Sequence, residues 1–168
     1  MKKQLLAISA IAIGIAALTM SIVNTGGQKK MAYFDYNKVY NDCDLKKDLE
    51  KDLEKVVSAR KSELDSMQLE LSLMSNKVQA GNANQDELNQ FEDMKGRYLT
   101  FQGRYEEENV RLKEQYFAQI RSKINEMSRE YAEANGYDYL FSAVGDGSLM
   151  YGKDTEEITD ELLTYVNK

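Results

Sequence analysis

The chain has 168 residues, 30% of them charged, and contains no histidine, tryptophan or proline. Without histidine it lacks the commonest general base and metal ligand, and with them the Ser-His and Cys-His routes to an activated nucleophile. The net charge is −6, and because the four lysines among the first thirty residues have no acidic counterpart there, residues 31–168 carry −10, which argues against a nucleic-acid partner.

Residues 1–30 have the pattern of an export segment and are set apart from the fold. Lys2 and Lys3 precede 19 apolar or small residues from Leu5 to Val23, which is typical of Sec-type export. The run just reaches the length of a spanning helix, and no Ala-x-Ala cleavage site follows it. The segment is therefore either a cleaved signal or a retained inner-membrane anchor, and in both cases the rest of the chain is exported.

The first element of the fold is a short aromatic strand, "MAYFDY", from Met31 to Tyr36. Asn37 is placed to cap the helical turn "KVYND" that follows. Cys43 is the only cysteine, so no intrachain disulfide can form. Its position at a junction into a helix predicts a small buried or half-buried side chain, and the alternative is a reactive or intermolecular thiol.

A long helix begins at Asp44, which we interpret as its N-cap. Its apolar residues recur at alternating steps of four and three, which is the heptad spacing of a coiled coil. This seam consists of Leu53, Val57, Arg60, Leu64, Met67, Leu71, Met74 and Val78.

The helix breaks at "QAGNANQDEL", where Gly81 and Asn82 interrupt the pattern and Asn84 or Asp86 can cap a second helix. A second seam then runs to the stop signal Asn135-Gly136. Its members are Leu88, Phe91, Met94, Tyr98, Phe101, Tyr105, Leu112, Tyr116, Ile120, Ile124, Met127 and Tyr131.

Two heptad helices joined by a short polar break predict an antiparallel helical hairpin, or arm, over residues 44–135 with its tip at about 80–86. Folding the chain at this tip places Arg60 beside Tyr105 and Glu106, and we expect Glu106 to pair with the arginine. Three leucines lie off the seams, and we interpret them as candidates for contact with another protein: Leu69, Leu73 and Leu99.

After Gly136 the pattern changes to a strand through Tyr137, Tyr139, Phe141 and Ala143. The "GDG" at residues 145–147 predicts a tight turn into a second strand, Ser148 to Tyr151, and so a β-hairpin. Because a lone hairpin is marginally stable, we expect the strand at Met31 to join it.

The chain ends in a predicted short helix capped by Thr159. Its apolar residues Leu162, Leu163 and Val166 are expected to cover one face of the sheet. The prediction is an α+β fold, in which the arm is inserted into a small β body made of residues 31–43 and 136–168 with short helices.

This body is small for so long an arm, and such cores often depend on oligomerisation. Aromatic residues on both faces of the sheet and its open edges indicate pairing with other copies. The predicted oligomer interface consists of Tyr33, Phe34, Tyr139, Phe141, Leu149 and Tyr151.

The two ends of the chain resemble the Skp/OmpH family of periplasmic chaperones. Ala32 to Asp35 matches the family's aromatic opening strand, Gly136 to Leu140 matches its "GYDYV"-like strand, and Glu157 to Leu162 matches its closing "DIT" helix. The resemblance covers nearly all of residues 31–168, which we take as one Skp/OmpH-like domain, with residues 1–30 as export signal or anchor.

The resemblance implies a homotrimer in which strands from three chains form a β-barrel and three arms surround a cavity. It also implies an ATP-independent holdase that binds unfolded outer-membrane proteins in the periplasm. The acidic balance of this chain departs from the basic arms of the best-known members. The alternative is an envelope coiled-coil scaffold or tether, anchored through residues 5–23, without chaperone activity.

No catalytic, cofactor or metal site is predicted. The many carboxylates fit solvated helix faces, and the sequence contains no phosphate-binding glycine loop, metal-ligand cluster or nucleophile elbow. We therefore expect a protein that is not an enzyme and needs no cofactor.

Overall fold

A computed structural model of the protein describes residues 29–168, and the predicted export segment and anchor lie outside them. The elements in chain order are strand β1, helices α1, α2 and α3, strand β2, a 3₁₀ turn and helix α4. Their bounds are Met31–Asp35, Tyr36–Asp42, Asp44–Gln79, Gln85–Ala134, Tyr139–Ala143, Asp154–Glu156 and Thr159–Val166.

The arm is formed by α2 and α3, which have 36 and 50 residues. At 1.5 Å per residue they are about 54 Å and about 75 Å long, so α3 extends past the start of α2 into the body. Gly81 (φ 69°) allows the turn at the tip. Asn84 caps α3 in a capping box with Glu87, as one of the two predicted caps.

Every predicted seam residue of both helices is buried or half-buried. The long helices, small sheet and C-terminal helix confirm the predicted fold class within the protomer. The barrel between three chains remains a proposal.

The sheet has two strands, and they run parallel. Met31 pairs with Tyr139 and Asp35 pairs with Ala143. Ala32 and Phe34 point inward and are buried, at 3% and 4% exposure.

The predicted β-hairpin is wrong for this protomer, because residues 148–151 form no strand in it. Gly145 (φ 78°) and Gly147 (φ 89°) do make a turn, and the Asp146 carboxylate accepts a hydrogen bond from the Ser148 amide at 2.9 Å. The chain then crosses to the other edge of β1, where the Ile158 amide donates to the Tyr33 carbonyl at 2.9 Å. The β1 strand therefore lies between β2 and residue 157.

Three predicted caps are also corrected. Asp35, rather than Asn37, caps α1 by accepting from the Lys38 amide at 3.1 Å. Asp44 is the first residue of α2 rather than its cap, and its amide donates to Asn167 Oδ1 at 2.9 Å.

Thr159 is the first residue of α4 rather than its cap. Its hydroxyl accepts from the Asp35 amide at 2.8 Å. A short polar side chain can cap a helix, but it can also bond to a segment distant in sequence. Thr159 forms the long-range bond and does not cap the helix.

The core lies where β1, α1, α4 and the last part of α3 meet. Cys43 is fully buried in it, which confirms the buried reading of the lone cysteine. The buried members of this cluster are Ala32, Phe34, Val39, Cys43, Ile120, Ile124, Ile158, Leu162 and Val166.

The chain enters the body at the end farthest from the arm tip. Lys30 Nζ donates to the Asn135 carbonyl at 2.7 Å, just after α3 ends, and lies 4.1 Å from the centre of the Tyr137 ring. The Lys30 amide donates to Asp138 Oδ2 at 2.8 Å. These bonds fix the start of β1 beside the end of α3.

Candidate functional surfaces

A polar layer interrupts the apolar seam midway along the arm. The Arg60 guanidinium donates to Glu108 Oε2 at 2.6 Å and to Asn109 Oδ1, and its centre lies 5.2 Å from the centre of the Tyr105 ring. The predicted contact with Tyr105 is therefore present. The predicted partner Glu106 is wrong: Glu108, one half-turn further along the helix, takes that place.

Tyr105 completes the layer and is 9% exposed. Its hydroxyl donates to Glu63 Oε2, and this bond together with burial raises the pKa of Tyr105 above its ordinary value. The polar atoms of the layer bond across the two helices. Such a layer favours one register, because a shifted register leaves its charges unpaired.

The three off-seam leucines are among the most exposed large apolar residues of the arm. Leu69 and Leu73 are each 62% exposed, and Leu99 is 57% exposed. Leu73 also lines a groove of about 370 Å³ near the tip, together with Met74, Val78 and Ala83. A salt bridge between Lys77 and Glu87 lies at the same groove.

Two further exposed apolar residues of α3 were not singled out from the sequence. Val110 is 54% exposed and Phe117 is 50% exposed. The Phe117 ring lies 5.8 Å from Tyr40, in a groove of about 340 Å³ at the base of the arm. Neither residue belongs to the second seam. The criterion that selected the three leucines, an apolar residue off the seam, would therefore also have selected Val110 and Phe117.

The outward face of the sheet carries aromatic residues at the predicted interface. Tyr139 and Phe141 are 50% and 45% exposed, and their rings stack with centres 6.2 Å apart. Tyr33 pairs with Phe141 across the strands. A Cβ at Gly152 would come within 2.3 Å of the Tyr33 ring, so the ring lies directly against this glycine.

The other predicted interface residues have different positions. Phe34 lies on the inward face, in the core of its own chain. Leu149 is half-buried in the loop after β2, and Tyr151 in the same loop is 80% exposed. Met150, between them, is 87% exposed and was not singled out from the sequence.

Residues 29–168 contain neither a metal-binding cluster nor a membrane-spanning helix. No group of three or more metal-ligating side chains in that range could hold a metal ion. None of the helices in the same range combines the length and the apolar character that crossing a membrane requires.

The comparisons with known proteins agree on one family and fold. A family model described as "Outer membrane protein (OmpH-like)" matches residues 30–166. A crystal structure from Caulobacter crescentus CB15, described as a candidate OmpH-like outer membrane chaperone, matches with a TM-score of 0.66 and 14% identity, over 84% of this chain and 85% of that one. At this identity the likeness shows the fold. None of the curated proteins matches the chain significantly.

Proposed function

The chain belongs to the OmpH-like family, and from this membership we propose that it is an ATP-independent holdase chaperone of the periplasm. Its clients would be unfolded outer-membrane proteins, held between helical arms. The family is one of chaperones rather than enzymes, which agrees with the absence of catalytic motifs from the sequence.

The observation that carries the proposal is the arm itself. It is about 75 Å long, and both of its helices expose large apolar side chains, at Leu69, Leu73, Leu99, Val110 and Phe117. A client in transit exposes apolar side chains and unpaired backbone, which drive aggregation when two clients meet. Weak contacts spread over a long arm can cover such segments without fixing the client in one conformation.

We further propose that three chains assemble through their β bodies. Tyr33, Tyr139 and Phe141 give the outward sheet face an aromatic surface, and a two-stranded sheet is a small structure to stand alone. In this arrangement residues 31–43 and 136–168 form the body, residues 44–135 form the arm, and residues 1–30 serve export.

Residues 28–168 should keep a urea-denatured outer-membrane barrel soluble on dilution, at about one trimer per client, as followed by light scattering. The matched variant Leu69→Ser/Leu73→Ser/Leu99→Ser should remain trimeric and hold less client. A trimer with no effect on client aggregation would contradict the holdase proposal and favour the anchored scaffold.

A further inference from the structure

A row of exposed apolar residues follows one side of α3, outside the seam that packs against α2. Leu99, Val110 and Phe117 are 57%, 54% and 50% exposed. Phe117, Val110, Gly103 and Gly96 succeed one another at intervals of seven residues, so they lie on one side of a coiled-coil helix. Leu99, three residues after Gly96, lies on the same side. We call these five residues the α3 row.

The two glycines leave hollows in the α3 row. The hollow at Gly96 has a volume of about 420 Å³ and the hollow at Gly103 one of about 510 Å³. A Cβ at either position would meet nothing within 4 Å, so no packing among residues 29–168 requires a glycine there. A glycine inside a helix lowers stability relative to alanine. The hollows are therefore unfavourable for the arm alone and are open to side chains from another molecule.

The hollow at Gly103 has an acidic wall. Beside Val110 this wall carries three glutamates and one arginine, which gives it a net charge of −2. The glutamates are Glu106, Glu107 and Glu114. All three are exposed, and none forms a salt bridge within residues 29–168. Carboxylates next to an apolar residue suit a lysine or arginine, whose stem lies on apolar surface while its charged end meets the carboxylate.

The length and the overall charge of the surface indicate what it can hold. From Leu99 to Phe117 the row is about 27 Å long, which is the span of about eight residues in an extended chain. Residues 31–168 carry −10, so a cationic segment is attracted before contact and an anionic segment is repelled.

We propose that the α3 row binds extended client segments in which apolar residues are interspersed with lysine or arginine. Apolar side chains of the segment contact the row and enter its hollows, while the cationic groups contact Glu106, Glu107 and Glu114. These three glutamates thereby select basic segments over acidic ones. The inference rests on the proposed holdase function and specifies the chemistry of the segments that the arm holds.

The test compares three peptides of about eight residues that differ only in charge. In each, leucine alternates with lysine, glutamine or glutamate, and one leucine is replaced by tryptophan. The protein contains no tryptophan, so the fluorescence of the peptide reports binding alone. Residues 28–168 should bind the lysine peptide about 10-fold more tightly than the glutamine peptide at low salt, and the glutamate peptide most weakly. Added salt should reduce this preference, because it screens exposed charges.

Two charge variants locate the preference. Glu107→Gln/Glu114→Gln should weaken binding of the lysine peptide about 3- to 10-fold and leave the glutamine peptide unchanged. The matched control Glu70→Gln/Glu126→Gln removes the same charge at two other exposed positions of the arm helices. It should change the affinity for the lysine peptide by less than about 2-fold. Equal losses from both variants would overturn the assignment to the hollow at Gly103.

A third variant tests the hollows. Gly96→Gln/Gly103→Gln fills them with side chains that favour a helix, so the arm should unfold at a higher urea concentration. Binding of the lysine and glutamine peptides should nevertheless weaken, by about 3-fold or more, because the apolar side chains lose their places. A gain in stability with unchanged affinities would overturn the use of the hollows.

Dilution of a urea-denatured outer-membrane barrel into the same samples separates this inference from the proposed function. A chain that keeps the barrel soluble but binds the three peptides equally, or binds none of them, would overturn the inference and leave the holdase proposal in place. Tighter binding of the glutamate peptide would overturn it as well. A chain that neither binds the peptides nor keeps the barrel soluble would overturn both.

Discussion

Arg60 is the charged side chain in the seam of α2, and its surroundings show how a coiled coil accommodates such a residue. Its side chain is 22% exposed and that of Glu108 is 31% exposed, so the pair is only partly shielded from water. The guanidinium also bonds to Asn109 and lies over Tyr105, so it has a second hydrogen-bond partner and an aromatic ring beside it. A partly buried pair with several bonds contributes more than an exposed one.

Glu108→Lys should destabilise the arm, because it replaces this attraction with repulsion and leaves Arg60 without its carboxylate. We expect the free energy of unfolding to fall by about 1–2 kcal/mol, measured by urea denaturation of the helical circular dichroism signal. Glu106→Lys, an exposed change on the same helix, is the control and should have little effect. Equal losses from both variants would contradict the assignment of Glu108.

Residue-level pairing was the least predictable part of the arm. The sequence places Arg60 opposite the region of Tyr105, but the second seam steps from Tyr105 to Leu112 without an apolar residue between them. The apolar pattern therefore does not mark Glu108 as the residue that faces Arg60. Similarly, Thr159 has the side chain of a good cap, and its bond to Asp35 depends on a strand 124 residues away.

At the scale of elements, the arm helices followed directly from the sequence because their pattern is local. A seam with alternating steps of three and four specifies which face of each helix is covered. The relative direction of the two strands, in contrast, did not follow from the sequence. Strands β1 and β2 are separated by the whole arm, and alternation of side chains defines their faces but not whether they run parallel.

The α3 helix contains two glycines that no packing contact requires. A Cβ at Gly96 or Gly103 would meet nothing within 4 Å. Gly96→Ala and Gly103→Ala should therefore each stabilise the arm by about 0.5–1 kcal/mol, because alanine loses less backbone freedom in a helix. Thermal unfolding measures the gain. Gly81→Ala is the contrasting control and should destabilise, since φ at that position is 69°.

The arm tip should respond to acid. Glu87 forms a salt bridge with Lys77 and accepts a hydrogen bond from the Asn84 amide, and both interactions hold the pKa of Glu87 below its ordinary value. The unfolded chain then binds this proton more readily than the folded chain, so the contribution of Glu87 is present above its unfolded pKa and is lost as the pH falls through the folded one.

Hydrogen exchange at the tip amides should therefore become faster below about pH 4 than intrinsic exchange predicts. Glu87→Gln keeps a side chain that can complete the capping box and removes the titration, so its tip should show no such change. An acid response that persists in Glu87→Gln would assign the effect to another group.

At the scale of the whole molecule, the sheet is the part that a single chain leaves unfinished. The sequence predicts a strand over residues 148–151, and the protomer contains none there. Alternation of side chains along residues 148–151 is therefore not sufficient to form a strand in the protomer. The predicted aromatic face of the sheet is present. The sequence pattern could not, however, identify which strands lie next to each other in the sheet.

Phe141→Asp and Tyr33→Asp should each dissociate the proposed trimer into monomers, because a carboxylate would be buried in the aromatic contact between copies. Size-exclusion chromatography with light scattering at micromolar concentration measures the change, and circular dichroism checks that the helices persist. Leu69→Ser, on the arm, should stay trimeric. Two strand variants that both remain trimeric would show that copies meet elsewhere.

The bonds between Lys30 and the end of α3 also determine where the protein can be attached to a surface or a label. Residue 30 lies at the end of the body, about 75 Å from the arm tip. A surface or label coupled close to this residue would therefore be far from the tip. Attachment at the tip would place the same bulk where the arm ends. For single-molecule or immobilised binding measurements, the region of residue 30 is the position at which the protein can be tethered while its arm remains free.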